Sequence, residues 1–147
     1  MKIEKILNEI IRDIVNLNPI RYRIAFDAES VSIFNGSVLY KIPLKKWLLD
    51  FDKLNMKQSG NPLASFNERD FERGILTGNI KRHKDNKTNK MLNLVEFKNQ
   101  SDELIYVNEA FLKYFDGDCF NVRGVHDPVL IYENGDMAGV VMPYIIK

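Results

Sequence analysis

Apolar residues recur at three- and four-residue steps through the first 17 residues, and charged residues fill the positions between them. This spacing predicts an amphipathic helix, because side chains three and four positions apart share one helix face. Asn18-Pro19 ends the helix, since proline restricts the residue before it and cannot extend a helix. Two interpretations stay open: the helix packs on the domain's own core, or it binds a partner or dimerises. The apolar positions are Ile3, Ile6, Leu7, Ile10, Ile11 and Ile14.

Short alternating runs between residues 20 and 42 predict a meander of strands. Asn35-Gly36 lies between two such runs and predicts a hairpin turn, because both residues tolerate positive φ. Pro43 then suits a first helical turn, which predicts a second helix over residues 43–51. The apolar stripe of that helix consists of Leu44, Trp47, Leu48 and Phe51.

The middle of the chain is patterned more weakly. Residues 55–64 contain several helix and strand breakers and predict a loop. Residues 65–68 have the spacing of a capping box and predict a short helix that ends near Gly74. Residues 77–90 are polar and predict a mobile loop, and the apolar run over residues 92–97 predicts a strand.

Residues 103–147 have the most regular pattern in the chain: a strand, a capped helix and three strands. Asn108 is the predicted helix cap, because a short polar side chain there can accept a hydrogen bond from a free N–H of the first turn. Asn134-Gly135 predicts a final hairpin turn. The strands are predicted at 104–107, 119–123, 128–132 and 137–142.

These elements predict a single α+β domain over residues 1–147, with an antiparallel sheet and three to four helices. The 45% hydrophobic and 28% charged content is ordinary for a soluble globular protein, and the net charge of +1 argues for neither nucleic acid nor membrane. The lone cysteine, Cys119, excludes an intrachain disulfide framework and suits a reducing compartment. No apolar run approaches the roughly 18 residues of a membrane span, so a cytoplasmic protein is expected.

Residues 81–90 form the strongest charge cluster, with five basic side chains against the single acidic residue Asp85. Such an excess can contact phosphates, but no aromatic residues are interleaved for base stacking. Two interpretations therefore stay open, a solvated loop or a nucleic-acid contact. The contact residues would be Lys81, Arg82, Lys84 and Lys87.

No group of residues predicts catalysis or a bound metal. His83, His126 and Cys119 have no evident third residue to orient a base, and an enzyme would need a pocket that gathers Asp127 with His126 and Cys119. The spacing of candidate ligands fits neither zinc nor calcium. Glycine patterns for nucleotide binding and the nucleophile elbow are also missing. The sequence therefore predicts a non-enzymatic protein without a cofactor.

Residues 103–147 resemble the end of the third domain of bacterial sliding clamps, the β subunit of DNA polymerase III. Residues 106–115, YVNEAFLKYF, resemble the clamp's strand-to-helix joint, and residues 36–51 more weakly resemble the start of a clamp half-domain. The resemblance implies one clamp-like unit over residues 37–147, preceded by the N-terminal helix over residues 1–18. Because bacterial clamps have three such domains per chain, their ring around DNA does not carry over. The matching motifs are Pro128-Val129-Leu130-Ile131, the Asn134-Gly135 turn and Gly139-Val140-Val141-Met142-Pro143.

In clamps the matching stretch lines an apolar groove that binds linear motifs of other proteins. The resemblance implies a non-enzymatic module that binds a linear motif of a replication or mobile-element protein near DNA and self-associates through open sheet edges. Two alternatives remain: the apolar tail positions simply fill a core strand, or the chain is a phage- or plasmid-type accessory protein that dimerises through its N-terminal helix. The implied groove residues are Val140, Met142, Pro143 and Tyr144, and the implied DNA-facing residues are Lys45 and Lys46.

Overall fold

The computed structural model describes residues 1–16, 22–49, 57–58, 60 and 67–146. Within these residues two α-helices and a set of mostly short strands follow one another. The helices are α1 (Ile3–Val15) and α2 (Glu109–Leu112). The strands are β1 (Arg23–Phe26), β2 (Ser30–Phe34), β3 (Val38–Pro43), β4 (Lys57–Gln58), β5 (Glu72–Arg73), β6 (Ile75–Lys84), β7 (Met91–Lys98), β8 (Leu104–Asn108), β9 (Cys119–Val122), β10 (Val129–Glu133) and β11 (Asp136–Val141).

The strands form a large sheet of eight strands and a small sheet of three. The large sheet has the order β4-β1-β2-β3-β11-β10-β9-β5, and the small sheet has the order β6-β7-β8. Neighbouring strands are antiparallel except for the two-residue parallel pairing of β1 with β4. The first and last thirds of the chain meet at the centre of the large sheet, where β3 pairs with β11 and Tyr40 lies opposite Gly139.

The core lies between α1 and one face of the large sheet. Ile6 and Ile10 of α1 are 1% exposed and belong to the same apolar cluster as Ile33 of β2. Tyr22 donates a hydrogen bond to Asp13 at 2.7 Å, and Tyr114 donates one to Glu9, so polar contacts also hold the helix. The apolar stripe predicted from the sequence therefore packs largely against the core of the chain itself.

The two predicted Asn-Gly turns are present. Asn35 accepts hydrogen bonds from the backbone N–H groups of Ser37 and Val38, both at 3.0 Å. Asn134 and Gly135 both have positive φ, 53° and 86°, which is the backbone that a two-residue hairpin loop needs to match the twist of its strands.

Gly139 allows an aromatic side chain to approach the large sheet closely. A Cβ at this position would lie 2.3 Å from the carbonyl oxygen of Leu39 and 2.5 Å from the ring of Phe115. The Phe115 ring stacks on Tyr40 with 5.4 Å between ring centroids. A side chain at position 139 would displace this packing.

The predicted fold class was wrong in its helix content. The structure is mostly sheet, with 45% strand and 17% helix, and the described residues contain two α-helices instead of three to four. The strand, helix and three strands predicted for residues 103–147 occur in that order, but α2 has only four residues. In addition, β8 belongs to the small sheet while β9 to β11 belong to the large one.

The predicted helix over residues 43–51 was wrong within the described residues. Pro43 is extended, with φ −55° and ψ 134°, and it pairs with Ser30 as the last residue of β3. Only a 3₁₀ turn follows, at Leu44–Lys46, and Leu48 is 76% exposed. Of the described stripe residues, Trp47 packs against the core while Leu44 and Leu48 are exposed, so little apolar burial supports a helix here. Phe51 lies outside the described residues.

The short helix predicted from the capping box was also wrong. Asn67 caps only a 3₁₀ turn at Glu68–Asp70, and the chain then enters β5. The Gly74 N–H donates to Phe120 at 2.7 Å, which keeps the segment extended beside β9. Residues 65 and 66 lie outside the described residues, as does most of the predicted loop over 55–64, where Lys57–Gln58 forms β4.

The predicted mobile loop over residues 77–90 is largely a strand. Residues 75–84 form β6, which pairs with β7 through a turn at residues 85–90. The sequence hid this strand because both of its faces are mostly exposed, so no alternation of polar and apolar residues marks it. Among the described residues, no helix has the length and apolar character needed to cross a membrane.

Candidate binding surfaces on the small sheet

The hairpin of β6 and β7 has two faces of different chemistry. Residues directly opposite each other in an antiparallel pair share a face, and alternate residues along a strand point to opposite faces. The register places one set on what we call the tail face: Lys81, His83, Leu92, Leu94, Glu96 and Tyr106. It places the other set on what we call the groove face: Leu76, Ile80, Arg82, Lys84, Met91, Asn93, Val95 and Phe97.

Residues 142–146 run from the large sheet to the tail face. The Tyr144 N–H donates to the carbonyl of Tyr106 at 2.7 Å, beside the outer edge of β8. The Tyr144 ring meets the His83 ring edge to face, with 5.3 Å between centroids. The Tyr144 hydroxyl donates to Asp85 at 3.1 Å, which joins this segment to the end of the hairpin.

These contacts border a cleft of about 420 Å³, which we call the tail cleft. Pro143 and Tyr144, predicted from the clamp resemblance, line it together with Lys87, predicted as a nucleic-acid contact. Two candidate sites that are far apart in the sequence therefore meet at one place. The complete lining consists of His83, Asp85, Asn86, Lys87, Pro143, Tyr144 and Ile145.

Asp85 organises the hairpin turn beside the tail cleft. Its carboxylate accepts hydrogen bonds from the backbone N–H groups of Lys87 and Thr88, at 3.3 and 3.2 Å, and from the Thr88 hydroxyl. The Thr88 hydrogen bond is the main cause that lowers the pKa of Asp85. Asn89 has a φ of 57° and donates its N–H to the Asp85 carbonyl, which closes the turn.

Aromatic rings do lie beside the basic residues of β6, although the sequence shows none interleaved there. The Lys81 ammonium lies 5.3 Å from the centre of the Tyr106 ring. Glu96 accepts a hydrogen bond from the Tyr106 hydroxyl at 3.2 Å, and further hydrogen bonds from Asn79 and Thr77 lower the pKa of Glu96. The rings come from β8 and from residues 142–146, so only the fold brings them close.

The other predicted site residues do not join the tail cleft. Val140 is 4% exposed and packs in a second apolar cluster with Leu39 and Leu130, so it fills the core. Met142 is half-buried and donates its N–H to Ser37 at 2.8 Å, and it is not part of the cleft lining.

The two predicted DNA-facing lysines lie elsewhere. Lys45 and Lys46 are exposed in the 3₁₀ turn after β3. Lys45 lines a different cleft of about 790 Å³, together with Asp27 and Asp136. Lys81, Arg82 and Lys84, in contrast, are all on β6. The predicted nucleic-acid residues therefore form two separate groups.

The groove face borders an apolar groove that the sequence did not predict. This groove has a volume of about 680 Å³, and its lining includes Val95 of β7 and Leu112 of α2. The rings of Phe97 and Phe120, 5.0 Å apart between centroids, also belong to the lining. Leu76, Ile80 and Met91 on the same face are 49%, 56% and 63% exposed. The sequence contained one signal for this groove: Leu76 and Ile80 are apolar residues in an otherwise polar stretch.

Of the candidate catalytic residues, Asp127 is held in an ion pair. Asp127 accepts two hydrogen bonds from the Arg123 guanidinium, at 2.6 and 3.0 Å, and this contact lowers the pKa of Asp127. Neither His126 nor Cys119 lines any of the three clefts described above. The part of the chain that the structure describes also contains no group of three or more His, Cys, Asp or Glu side chains that could hold a metal.

Comparison of the chain with protein-family models, with curated proteins and with solved structures found no match. The resemblance of residues 103–147 to sliding clamps therefore stays a prediction that depends on those residues alone.

Proposed function

We propose that this chain is a non-enzymatic protein-binding module that holds a short linear motif of a partner protein in the tail cleft. The observation that supports this proposal is the meeting of Pro143 and Tyr144 with the basic end of the hairpin around one concave site. A cleft of about 420 Å³ lies in the size range of sites that enclose a small ligand or a few side chains.

The lining favours a motif with an apolar or aromatic anchor beside an acidic residue. Pro143, Tyr144 and Ile145 offer apolar surface, and Ile145 is 42% exposed. The Asp85 carboxylate already accepts hydrogen bonds from Tyr144 and Thr88. The Lys87 ammonium is therefore the charge that the cleft offers to a ligand, and it would pair with a carboxylate.

The source of the motif follows from the resemblance. Because residues 103–147 resemble part of a sliding clamp, we propose a replication or mobile-element protein as the partner, in the cytoplasm and near DNA. In this arrangement the contact to DNA belongs to the partner, and this chain supplies the peptide site.

A panel of short peptides, each with one aromatic anchor and one to two acidic neighbours, tests the proposal by NMR on the ¹⁵N-labelled chain. We expect a binding peptide to shift the amide signals of Asn86, Lys87 and Ile145. Tyr144→Ala should weaken binding by about tenfold, because aromatic anchors dominate such sites. Leu48→Ala is the matched control, since Leu48 is 76% exposed and lies outside the cleft. Shifts confined to other surfaces, or equal losses in both variants, would contradict the proposal.

Nucleic acid is the second candidate, and it is favoured by one observation. Lys81 lies over Tyr106, and His83 lies against Tyr144, so aromatic rings adjoin the basic strand. A salt titration with duplex and single-stranded oligonucleotides tests it. If Lys81 contacts a phosphate, Lys81→Ala should reduce the slope of log affinity against log salt by about one. No binding at low salt would exclude this candidate.

A further inference from the structure

β6 is the edge strand of the small sheet, and no described strand pairs with its outer side. It has ten residues, which correspond to about 33 Å of extended backbone. An edge of this kind presents N–H and C=O groups that can form a ladder with another extended chain. A shift in the register between Leu76 and Ile80 interrupts the strand, so the regular part of the edge spans residues 80–84.

The groove face beside this edge continues the core outward into solvent. Phe97 and Val107 of the small sheet are fully buried in the main apolar cluster, and Val95 packs partly buried against it. Ile80 lies opposite Val95 and is 56% exposed. The same apolar layer thus runs from the closed core to an open surface, where a partner side chain could extend it.

The charge on this surface is strongly one-sided. Arg82 and Lys84 are exposed on the groove face, and Lys87 and Lys90 follow them in the hairpin turn. The acidic residues nearby are Asp85 of the same turn, which accepts hydrogen bonds from Thr88 and Tyr144, and Glu109 beside the groove. The Glu109 carboxylate accepts a hydrogen bond from Asn93 at 2.9 Å, and Lys113 also lines the groove. The regular part of the edge therefore begins with an apolar residue and ends with two cations.

We propose that β6 binds an extended, acidic segment of a partner protein, which joins the small sheet as a fourth strand. Backbone hydrogen bonds to residues 80–84 supply the ladder. On the groove face, an apolar side chain of the partner packs beside Ile80, and carboxylates at the next two alternate positions pair with Arg82 and Lys84. This site is on the opposite face of the hairpin from the tail cleft and does not depend on the proposed use of that cleft.

Charge complementarity favours this occupant over a second copy of the chain. Pairing two β6 strands edge to edge would bring two basic clusters to the same seam, and like charges on paired strands are destabilising. Lysines on an edge strand are also a known protection against such self-pairing. A lipid surface could attract the same charges and apolar side chains, but it cannot supply partners for an open row of backbone groups.

The probe is a blocked seven-residue peptide that carries one valine and two glutamates at alternate positions, so that they share a face, with threonine at the positions between and outside them. The protein is the whole ¹⁵N-labelled chain. We expect saturable binding, with shifted and more slowly exchanging amides within residues 80–84. A peptide with lysine in place of glutamate, and one with N-methylated backbone on its bonding edge, should each bind at least tenfold more weakly.

The double variant Arg82→Glu/Lys84→Glu should lose at least tenfold in affinity for the glutamate peptide and gain affinity for the lysine peptide. Lys45→Glu/Lys46→Glu makes the same charge change in the 3₁₀ turn after β3 and should retain the original affinity. All four side chains are exposed, so both variants should fold, which thermal melting checks. Tyr144→Ala should also leave this binding unchanged, so failure here is distinguishable from failure at the tail cleft.

Three results would overturn the proposal. The first is concentration-dependent dimerisation of the chain, measured by light scattering, that Arg82→Glu/Lys84→Glu abolishes. The second is binding to anionic lipid vesicles without binding of the glutamate peptide. The third is an equal loss of peptide affinity in the two charge-reversed variants, which would mean that only net charge attracts the peptide.

Discussion

The hairpin of β2 and β3 and the hairpin of β6 and β7 are built from the same antiparallel pairing but have opposite environments. Ile33 of β2 is 0% exposed, whereas Ile80 of β6 is 56% exposed. β2 and β3 lie near the middle of eight strands, with α1 over one face and a second apolar cluster on the other. Among the strands that the structure describes, β6 pairs with β7 alone. β2 and β3 therefore lie inside the core, whereas the β6 edge of the small sheet is open to solvent, where we have proposed that a partner binds.

The largest test of this comparison is a matched pair of truncations, one in each hairpin. Ile33→Ala should lower the free energy of unfolding by about 2–5 kcal/mol, because it leaves a cavity in a closed core. Ile80→Ala should change it by no more than about 0.5 kcal/mol, because the side chain is already in contact with water. Urea denaturation measures both values. Similar losses in the two variants would show that the small sheet carries as much stability as the large one.

A smaller loss is expected where the two ends of the chain meet in the large sheet. Gly139→Ala should cost about 1–3 kcal/mol, because the added methyl group would press on the Leu39 carbonyl and the Phe115 ring. Leu48→Ala is the control, since Leu48 is 76% exposed. If the Gly139 variant melts at the same temperature as the control, the Phe115 ring can move aside at no cost.

A still smaller difference in stability is expected between two tyrosine hydroxyls, one beside each sheet. Tyr22→Phe removes the hydrogen bond to Asp13 under α1 and should cost about 1 kcal/mol, because the hydroxyl is in a largely buried place. Tyr106→Phe removes the hydrogen bond to Glu96 on the tail face, where water can replace it, and should cost less. Thermal unfolding of the two variants gives the ranking, and the reverse order would contradict it.

The smallest effect should be local and dependent on pH. The pKa of Asp85 is lowered in the folded chain, chiefly by the Thr88 hydroxyl, so its carboxylate stabilises the turn above the ordinary carboxyl pKa of about 4. That contribution is lost as the pH falls through the lowered pKa. As the pH falls below about 4, we expect the amide signals of Thr88 and Tyr144 to move while those of β2 and β3 stay in place. Asp85→Asn should remove this response, and a response that persists in the variant would assign it to another carboxyl group.

The elements that the sequence predicted well are those whose pattern and burial agree. The segments at 128–132 and 137–142 are nearly continuous apolar runs on either side of Asn134-Gly135, and the structure has the largely buried strands β10 and β11 there. Asn108 accepts a hydrogen bond from the Ala110 N–H at 3.1 Å, as a cap should, although the helix it starts is a single turn. Local chemistry therefore marked where elements begin better than it marked how long they continue.

Two kinds of error have physical reasons. β6 was missed because an edge strand exposed on both faces needs no apolar period, and its pairing is set by the apolar residues of β7. The helix at 43–51 was overpredicted because an apolar stripe indicates a helix only if something covers it, and Leu44 and Leu48 are exposed. Propensity could not show which stripe the core would reach.

The candidate sites depend on contacts that no local pattern contains. Tyr144 follows β11 of the large sheet, yet its ring contacts His83 of the small sheet. The sequence showed the basic cluster and the Pro143-Tyr144 segment separately and could not show that they share a cleft. The open edge of β6 could not be predicted at all while residues 77–90 were expected to form a loop.

Because of the path of the chain through the two sheets, we expect that the chain can be cut into two fragments that still assemble into the native fold. A break in the exposed turn after Lys87 would give one piece of residues 1–87 and another of residues 88–147. Each piece supplies strands that the other needs: β3 to β11, β5 to β9, and β6 to β7. Produced separately, the two pieces should bind each other through these native strand pairs and restore the fold. The chain would then serve as a split reporter, in which the signal depends on assembly of the two fragments.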